Sequence, residues 1–141
     1  MQQQVADVPK LPAAVGIVGL GLIGGSLGLD LQALGCRVVG LVHRSSTAER
    51  ALERHLVHAV STDPAILRDC ELIILALPIE SLLDPDPGLV AALPPHAVVM
   101  DVASVKAPVL EVWRHRHGRF VASHPMAGTA ESGVDAGLSG L

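Results

Sequence analysis

Aromatic residues are almost missing from this chain: its 141 residues include one tryptophan, Trp113, one phenylalanine, Phe120, and no tyrosine. A core must then be built from Val, Leu, Ile and Ala, which supply most of a 50% hydrophobic content and suit strands buried on both faces of a parallel α/β sheet. The same scarcity removes the stacking platforms that single-stranded nucleic acid needs. A net charge of −4 with no basic run removes the surface that would neutralise phosphate backbones. No nucleic-acid partner is expected. Cysteine is also scarce: Cys36 and Cys70 lack metal-ligand spacing and read as reduced, buried thiols of a cytoplasmic protein. Long apolar runs are absent. The longest, Leu72 to Ile79, is far too short to span a bilayer. The start, from Met1 to Pro12, is polar and proline-punctuated, with no apolar stretch of signal-peptide length, so residues 1–13 read as disordered or extended and no membrane partner is expected. The length fits one domain that buries roughly two thirds of the surface of its unfolded chain.

Glycine, by contrast, is concentrated where it carries information. Val15 to Val18 reads as a buried strand that runs through a glycine turn into a helix, with Gly19, Gly21 and Gly24 at the G-x-G-x-x-G spacing. The first glycine suits a tight turn, the second leaves room for a pyrophosphate against the backbone, and the third lets helix and strand pack closely. The free N–H groups and positive dipole end of the new helix then face an anion. The following helix places Ile23, Leu27, Leu31 and Leu34 on one apolar face. These features predict a Rossmann-type doubly wound, mainly parallel α/β sheet in a single domain, with residues 14–128 as the dinucleotide-binding unit and Gly19, Leu20, Gly21, Leu22, Ile23 and Gly24 against the cofactor.

After Gly35, a helix C-cap, the run from Arg37 to Val42 reads as the second strand, and its end meets the adenosine ribose. An acidic residue there would bond the ribose 2′-hydroxyl and select NAD. This chain reads His43-Arg44-Ser45-Ser46-Thr47 instead, an arginine and hydroxyls that suit a 2′-phosphate, so NADP is the expected cofactor and NAD the less favoured one. The competing reading is a solvated turn in which Ser46 or Thr47 caps the next helix. That helix, from about Thr47 to His55, carries Glu49, Arg50, Glu53 and Arg54 as a solvated face with local ion pairs.

Further strands are expected at Val57 to Val60, Glu71 to Leu77, His96 to Ala103 and Arg119 to Ser123, with a helical turn at Asp63-Pro64. Ligands in such sheets lie beyond the carboxyl ends of the strands, so Leu77, Pro78 and Ile79 should wall the cofactor cleft. Asp84-Pro85-Asp86-Pro87-Gly88 should break the helix that starts near Ser81. A helix from about Pro108 to His117 ends in His115-Arg116-His117, a solvated end rather than a metal site because two-residue spacing puts the imidazoles on different faces. No metal is expected. His124 follows the last strand, before a proline and beside the place of a nicotinamide, and residues 129–141 read as a loop of glycine and small residues.

With these residues in hand, the chain resembles the prephenate and arogenate dehydrogenases of tyrosine biosynthesis, with most likeness to the NADP-preferring arogenate type of cyanobacteria. The resemblance covers Val15 to Leu141 and rests on Gly19-Leu20-Gly21-Leu22-Ile23-Gly24, on Asp101-Val102-Ala103-Ser104-Val105-Lys106 and on His124-Pro125-Met126-Ala127-Gly128-Thr129. It implies oxidative decarboxylation of arogenate or prephenate: hydride leaves the ring carbon bearing the hydroxyl for the nicotinamide, the hydroxyl proton goes to a base, and the ring carboxylate departs as carbon dioxide. It further implies that His124 takes that proton, for which a neutral imidazole is suited, and that Ser104 helps orient the hydroxyl. Family members continue into a helical domain that forms a homodimer and supplies an arginine for a substrate carboxylate. This chain stops at Leu141, so residues 129–141 should lead to a missing part and turnover should be incomplete. Pro85 and Pro87 interrupt a helix that is usually continuous in the family. Two alternatives stay open: a non-catalytic NADP-binding module, and another oxidoreductase of the same fold such as a 3-hydroxyacid dehydrogenase, against which the Ser104 and His124 motifs weigh.

Overall fold

Short runs of mostly β-branched and aliphatic residues form strands that pair through their backbones, the central ones buried on both faces. The computed structural model describes residues 11–103 and 106–122. In it β1 (Ala14–Val18), β2 (Arg37–Leu41), β3 (Ala59–Ser61), β4 (Leu72–Leu75), β5 (Val98–Asp101) and β6 (Phe120–Val121) form one sheet in the order β3-β2-β1-β4-β5-β6. Every pairing is parallel, with Ile17 opposite Gly40 on one side and Ile74 on the other. Strand order reverses direction between β1 and β4, which opens a crevice at their carboxyl ends. The doubly wound α/β expectation holds.

Helices α1 (Leu22–Ala33), α2 (Ser45–Glu53), α3 (Ile79–Leu83), α4 (Pro87–Ala92) and α5 (Ala107–Trp113), with a 3₁₀ turn at Pro64–Leu67, cover the sheet. Two apolar cores result. One gathers Ile17, Leu27, Leu31, Val38, Ala51 and Val57 around α1. The other gathers Leu41, Leu67, Ile73, Leu82, Val99 and Trp113. The break at Asp84-Pro85-Asp86-Pro87 falls where proline requires it: α3 ends at Leu83, and Asp86 restarts the chain by accepting the Leu89 N–H at 3.0 Å, with Pro87 in the first turn of α4. Asp63 does the same for the 3₁₀ turn, accepting from Ala65 N–H at 3.0 Å.

Four expectations need correction. Leu34 is 47% exposed, outside α1, and the buried face of that helix consists of Gly24, Gly25, Leu27, Gly28 and Leu31; close backbone approach, not a leucine stripe, seats it. Ser46 and Thr47 cap nothing: the N-cap of α2 is Arg44, no side chain bonds to the cap, and the serines occupy the first helical turn. The charges of α2 form no ion pair within 4 Å among the described residues, since all stay solvated. His117 is buried, not solvated. Its Nδ1 accepts the Arg119 N–H at 3.1 Å and its Nε2 lies 3.0 Å from the Pro94 carbonyl, to which it donates, so the ring holds two loops together in its neutral form. His115 does sit at the surface, 3.5 Å from Glu111. The thiols of Cys36 and Cys70 are free and buried.

Candidate cofactor site

The glycine turn leaves β1 in the crevice and starts α1. Gly19 has φ +95°, a left-handed conformation, and a Cβ there would lie 2.5 Å from the Ala76 carbonyl oxygen. A Cβ on Gly24 would overlap the Gly19 carbonyl oxygen, so this glycine is required by packing of the helix against the turn. Gly21 differs from both. Its backbone, φ −74° and ψ −155°, is open to any residue, and nothing in the described protein lies within 4 Å of a Cβ placed on it. Glycine suits this N-cap position, and without a side chain it also leaves the backbone bare to a group lying directly on it.

The start of α1 offers that group a complementary surface. The first intrahelical bond runs from Gly25 N–H to the Gly21 carbonyl at 2.8 Å, so the amides of Leu22, Ile23 and Gly24 lack helical acceptors. No side chain caps them and no acid occupies the first turn. Leu22 is exposed over this mouth. Arg44 repeats the pattern at the end of β2, where Ala48 N–H makes the first helical bond and the turn of α2 carries no acid. His43, Arg44, Ser45 and Ser46 are all exposed there.

At the carboxyl ends of β1, β2 and β4 lies a cleft of about 460 Å³, within the range of small-molecule sites. Val18, Gly19, Leu41, Val42, His43 and Leu77 line it. Of the strand-end residues expected to wall it, Leu77 does so; Pro78 caps α3, and Ile79 packs against the core beneath. The far wall comes from a segment to which sequence reading gave no site role, Asp84 to Pro87. Its signal was present, because two prolines break a helix just beyond a strand end that faces the crevice.

At the end of β5, Asp101 is fully buried, accepting from Lys106 Nζ at 2.7 Å and from Ala103 N–H at 3.0 Å. A buried carboxylate needs such partners, and this one ties together both ends of the segment that contains Ser104. Ser104 and His124, the two residues expected to do chemistry, lie outside the described residues. Among the described residues no group of histidines, cysteines and acids could hold a metal ion, and no helix is long and apolar enough to cross a membrane.

A six-stranded parallel sheet with an uncapped glycine turn at its crevice defines a dinucleotide-binding domain. Comparison narrows this: the model of the prephenate dehydrogenase nucleotide-binding domain matches residues 27–141, and the chain belongs to the prephenate dehydrogenase family. It is 31% identical to the cyclohexadienyl dehydrogenase of Zymomonas mobilis over 90% of its own length and 45% of that protein's. It is 32% identical to the prephenate dehydrogenase of Bacillus subtilis over 85% and 34%. The chain thus spans less than half of these relatives. Among solved structures, Synechocystis arogenate dehydrogenase is similar at TM-score 0.68 and 39% identity, over 83% of this chain and 42% of that one. Aquifex aeolicus prephenate dehydrogenase, solved with hydroxyphenyl propionate and NAD+, is similar at TM-score 0.74 and 28% identity, over 92% and 46%.

Proposed function

We propose that this chain is the cofactor-binding part of a cytoplasmic, NADP-dependent arogenate or prephenate dehydrogenase of tyrosine biosynthesis. The observation that supports the cofactor most is Gly21, which leaves the backbone at the uncapped start of α1 bare to a ligand. The amides of Leu22, Ile23 and Gly24 hold the pyrophosphate in this reading. Arg44, with the amides and hydroxyls of Ser45 and Ser46, holds the ribose 2′-phosphate, and His43 and Leu77 border the dinucleotide. The stretch directly after β2, residues 42–48, carries no acid, which supports NADP over NAD.

The bound nicotinamide supplies the hydride acceptor. The chain's own residues do the rest: His124 takes the proton of the ring hydroxyl, Ser104 orients that hydroxyl, and the Asp101–Lys106 pair joins the two ends of the segment to which Ser104 belongs. Loss of carbon dioxide then leaves an aromatic ring. Substrate affinity and a homodimer belong, in this reading, to the part of the relatives that this chain does not span.

Titration of the purified chain with NADP and NAD at low salt tests the reading. NADP should bind more tightly by about 1 to 3 kcal/mol, the scale of charge-assisted hydrogen bonds. Arg44→Ala should erase the difference and leave NAD binding almost unchanged. Equal affinities in the unmodified chain would refute the NADP assignment.

A further inference from the structure

We infer that Asp84 reads the purine of the dinucleotide, its carboxylate accepting a hydrogen bond from the exocyclic amine of adenine; this rests on the cofactor reading above. The cleft at the carboxyl ends of β1, β2 and β4 is a slot lined largely by apolar residues, among them Leu41, Val42, Pro64, Leu77 and Leu89, which suits a flat ring. Two aspartates line it, and they are not equivalent. The Asp86 carboxylate already accepts the Leu89 N–H at 3.0 Å and serves α4. The Asp84 carboxylate has no hydrogen-bond or ion-pair partner among the described residues.

Asp84 is also held in place. Its N–H donates to the Glu80 carbonyl at 3.1 Å, its backbone at φ −134° and ψ 72° has left the helix, and Pro85 bars a return to helical geometry. An Asp-Pro-Asp-Pro segment therefore presents this carboxylate from a stiff support, at little entropic cost on binding. What it can bind follows from charge. A carboxylate only accepts hydrogen bonds and repels phosphate, so it must face a part of the dinucleotide that donates and lies away from the phosphates. The pyrophosphate falls at Gly21 and the 2′-phosphate at Arg44, which leaves the purine for the slot and its amine, with two N–H groups, for the far wall. Hypoxanthine carries a carbonyl oxygen at that position. It would set one acceptor against another.

The test compares NADP with its hypoxanthine analogue, bound to the unmodified chain, to Asp84→Ala and to Asp84→Asn. The unmodified chain should prefer adenine by about tenfold or more, as expected when one acceptor replaces a charge-assisted donor. Asp84→Ala should bring the two affinities together, and Asp84→Asn, which can donate as well as accept, should take both purines. Equal binding of the two purines by the unmodified chain would overturn the inference while leaving the cofactor reading intact. So would an Asp84→Ala variant that keeps the purine preference, or one that changes the ratio of NADP to NAD instead, which would assign the carboxylate to the ribose. If neither NADP nor NAD binds at millimolar concentration, the cofactor reading fails and this inference fails with it.

Discussion

The two faces of the sheet are held by opposite means. On one, α1 approaches through glycines: a Cβ on Gly24 would overlap the Gly19 carbonyl, and one on Gly28 the Leu56 carbonyl. On the other, Trp113 is fully buried, stacks on Phe120 with ring centroids 5.6 Å apart, and donates from Nε1 to the Leu82 carbonyl at 2.8 Å. The first face gains from backbone fitting backbone, which also leaves the mouth of α1 open to an anion. The second gains from apolar area removed from water. One should therefore be broken by adding a methyl group and the other by removing a ring.

The largest effect tests the glycine face against itself. Gly28→Ala forces a Cβ into the Leu56 carbonyl, a backbone atom that cannot swing aside, and should cost more than about 3 kcal/mol, a large part of a small domain's stability. Gly21→Ala meets empty space and should change stability by only about 0.5 kcal/mol. Its cofactor affinity should nevertheless fall at least tenfold. Urea unfolding and cofactor titration of both variants separate packing glycine from binding glycine, and a Gly21→Ala protein that binds normally would remove the phosphate from that turn.

Next comes the aromatic face. Trp113→Ala removes a whole buried ring and strands the Leu82 carbonyl, for a loss of about 3 to 5 kcal/mol in urea unfolding. Trp113→Phe keeps most of the area but not the N–H donor and should cost about 1 to 3 kcal/mol. If the two variants were equally damaged, the hydrogen bond rather than the burial would hold this face.

The same face contains a pH-dependent element. Burial first, and the charge of Asp69 second, push the Cys70 thiol up from its ordinary 9.0 to about 11, against a smaller opposite pull from Arg37. The unfolded chain then loses this proton near pH 9 while the native chain keeps it to about pH 11, so the protein binds more protons folded than unfolded in that window. Stability should be full below pH 9 and decline between 9 and 11 by at most about 2 to 3 kcal/mol, at 1.36 kcal/mol per unit. The chain has no tyrosine to titrate in the same range. Unfolding measured from pH 8 to 11 should show the decline in the unmodified protein and a shallower one in Cys70→Ala; parallel curves would refute the assignment to this thiol.

Legibility in the sequence follows the same division. The strands, the glycine turn and the proline break were readable because each is set by residues near in sequence: β-branched runs make strands, Gly19 permits its positive φ, and Pro85 and Pro87 forbid a continuous helix. Leu34 and His117 were misread because distant atoms decide them. Leu34 lost its buried place to the glycines that seat α1 on β1 and Leu56, and His117 was drawn inward by the Pro94 carbonyl, 23 positions away. In the candidate site, Arg44 and the glycines were visible as a motif, while Asp84 was visible only as part of a helix-breaking segment until the fold put it at the wall of the cleft.

The smallest effect lies at the link that brings Leu56 to the glycines of α1. After α2, His55 turns the chain with φ 58°, the left-handed region, and its carbonyl accepts from Gln32 Nε2 at 2.9 Å while Leu56 N–H bonds the Ala51 carbonyl at 3.0 Å. These contacts are made by the backbone, so a substitution at His55 keeps them and changes only the cost of the conformation. A residue with a Cβ pays about 1 to 2 kcal/mol there, and glycine avoids this but loses about 0.5 to 1 kcal/mol through its freer unfolded chain. His55→Gly should therefore match or slightly exceed the unmodified protein in urea, and exceed His55→Ala by about 1 kcal/mol. Should alanine equal glycine at this position, the left-handed turn does not survive substitution, and the approach of Leu56 to Gly28 must be held by α1 and α2 themselves.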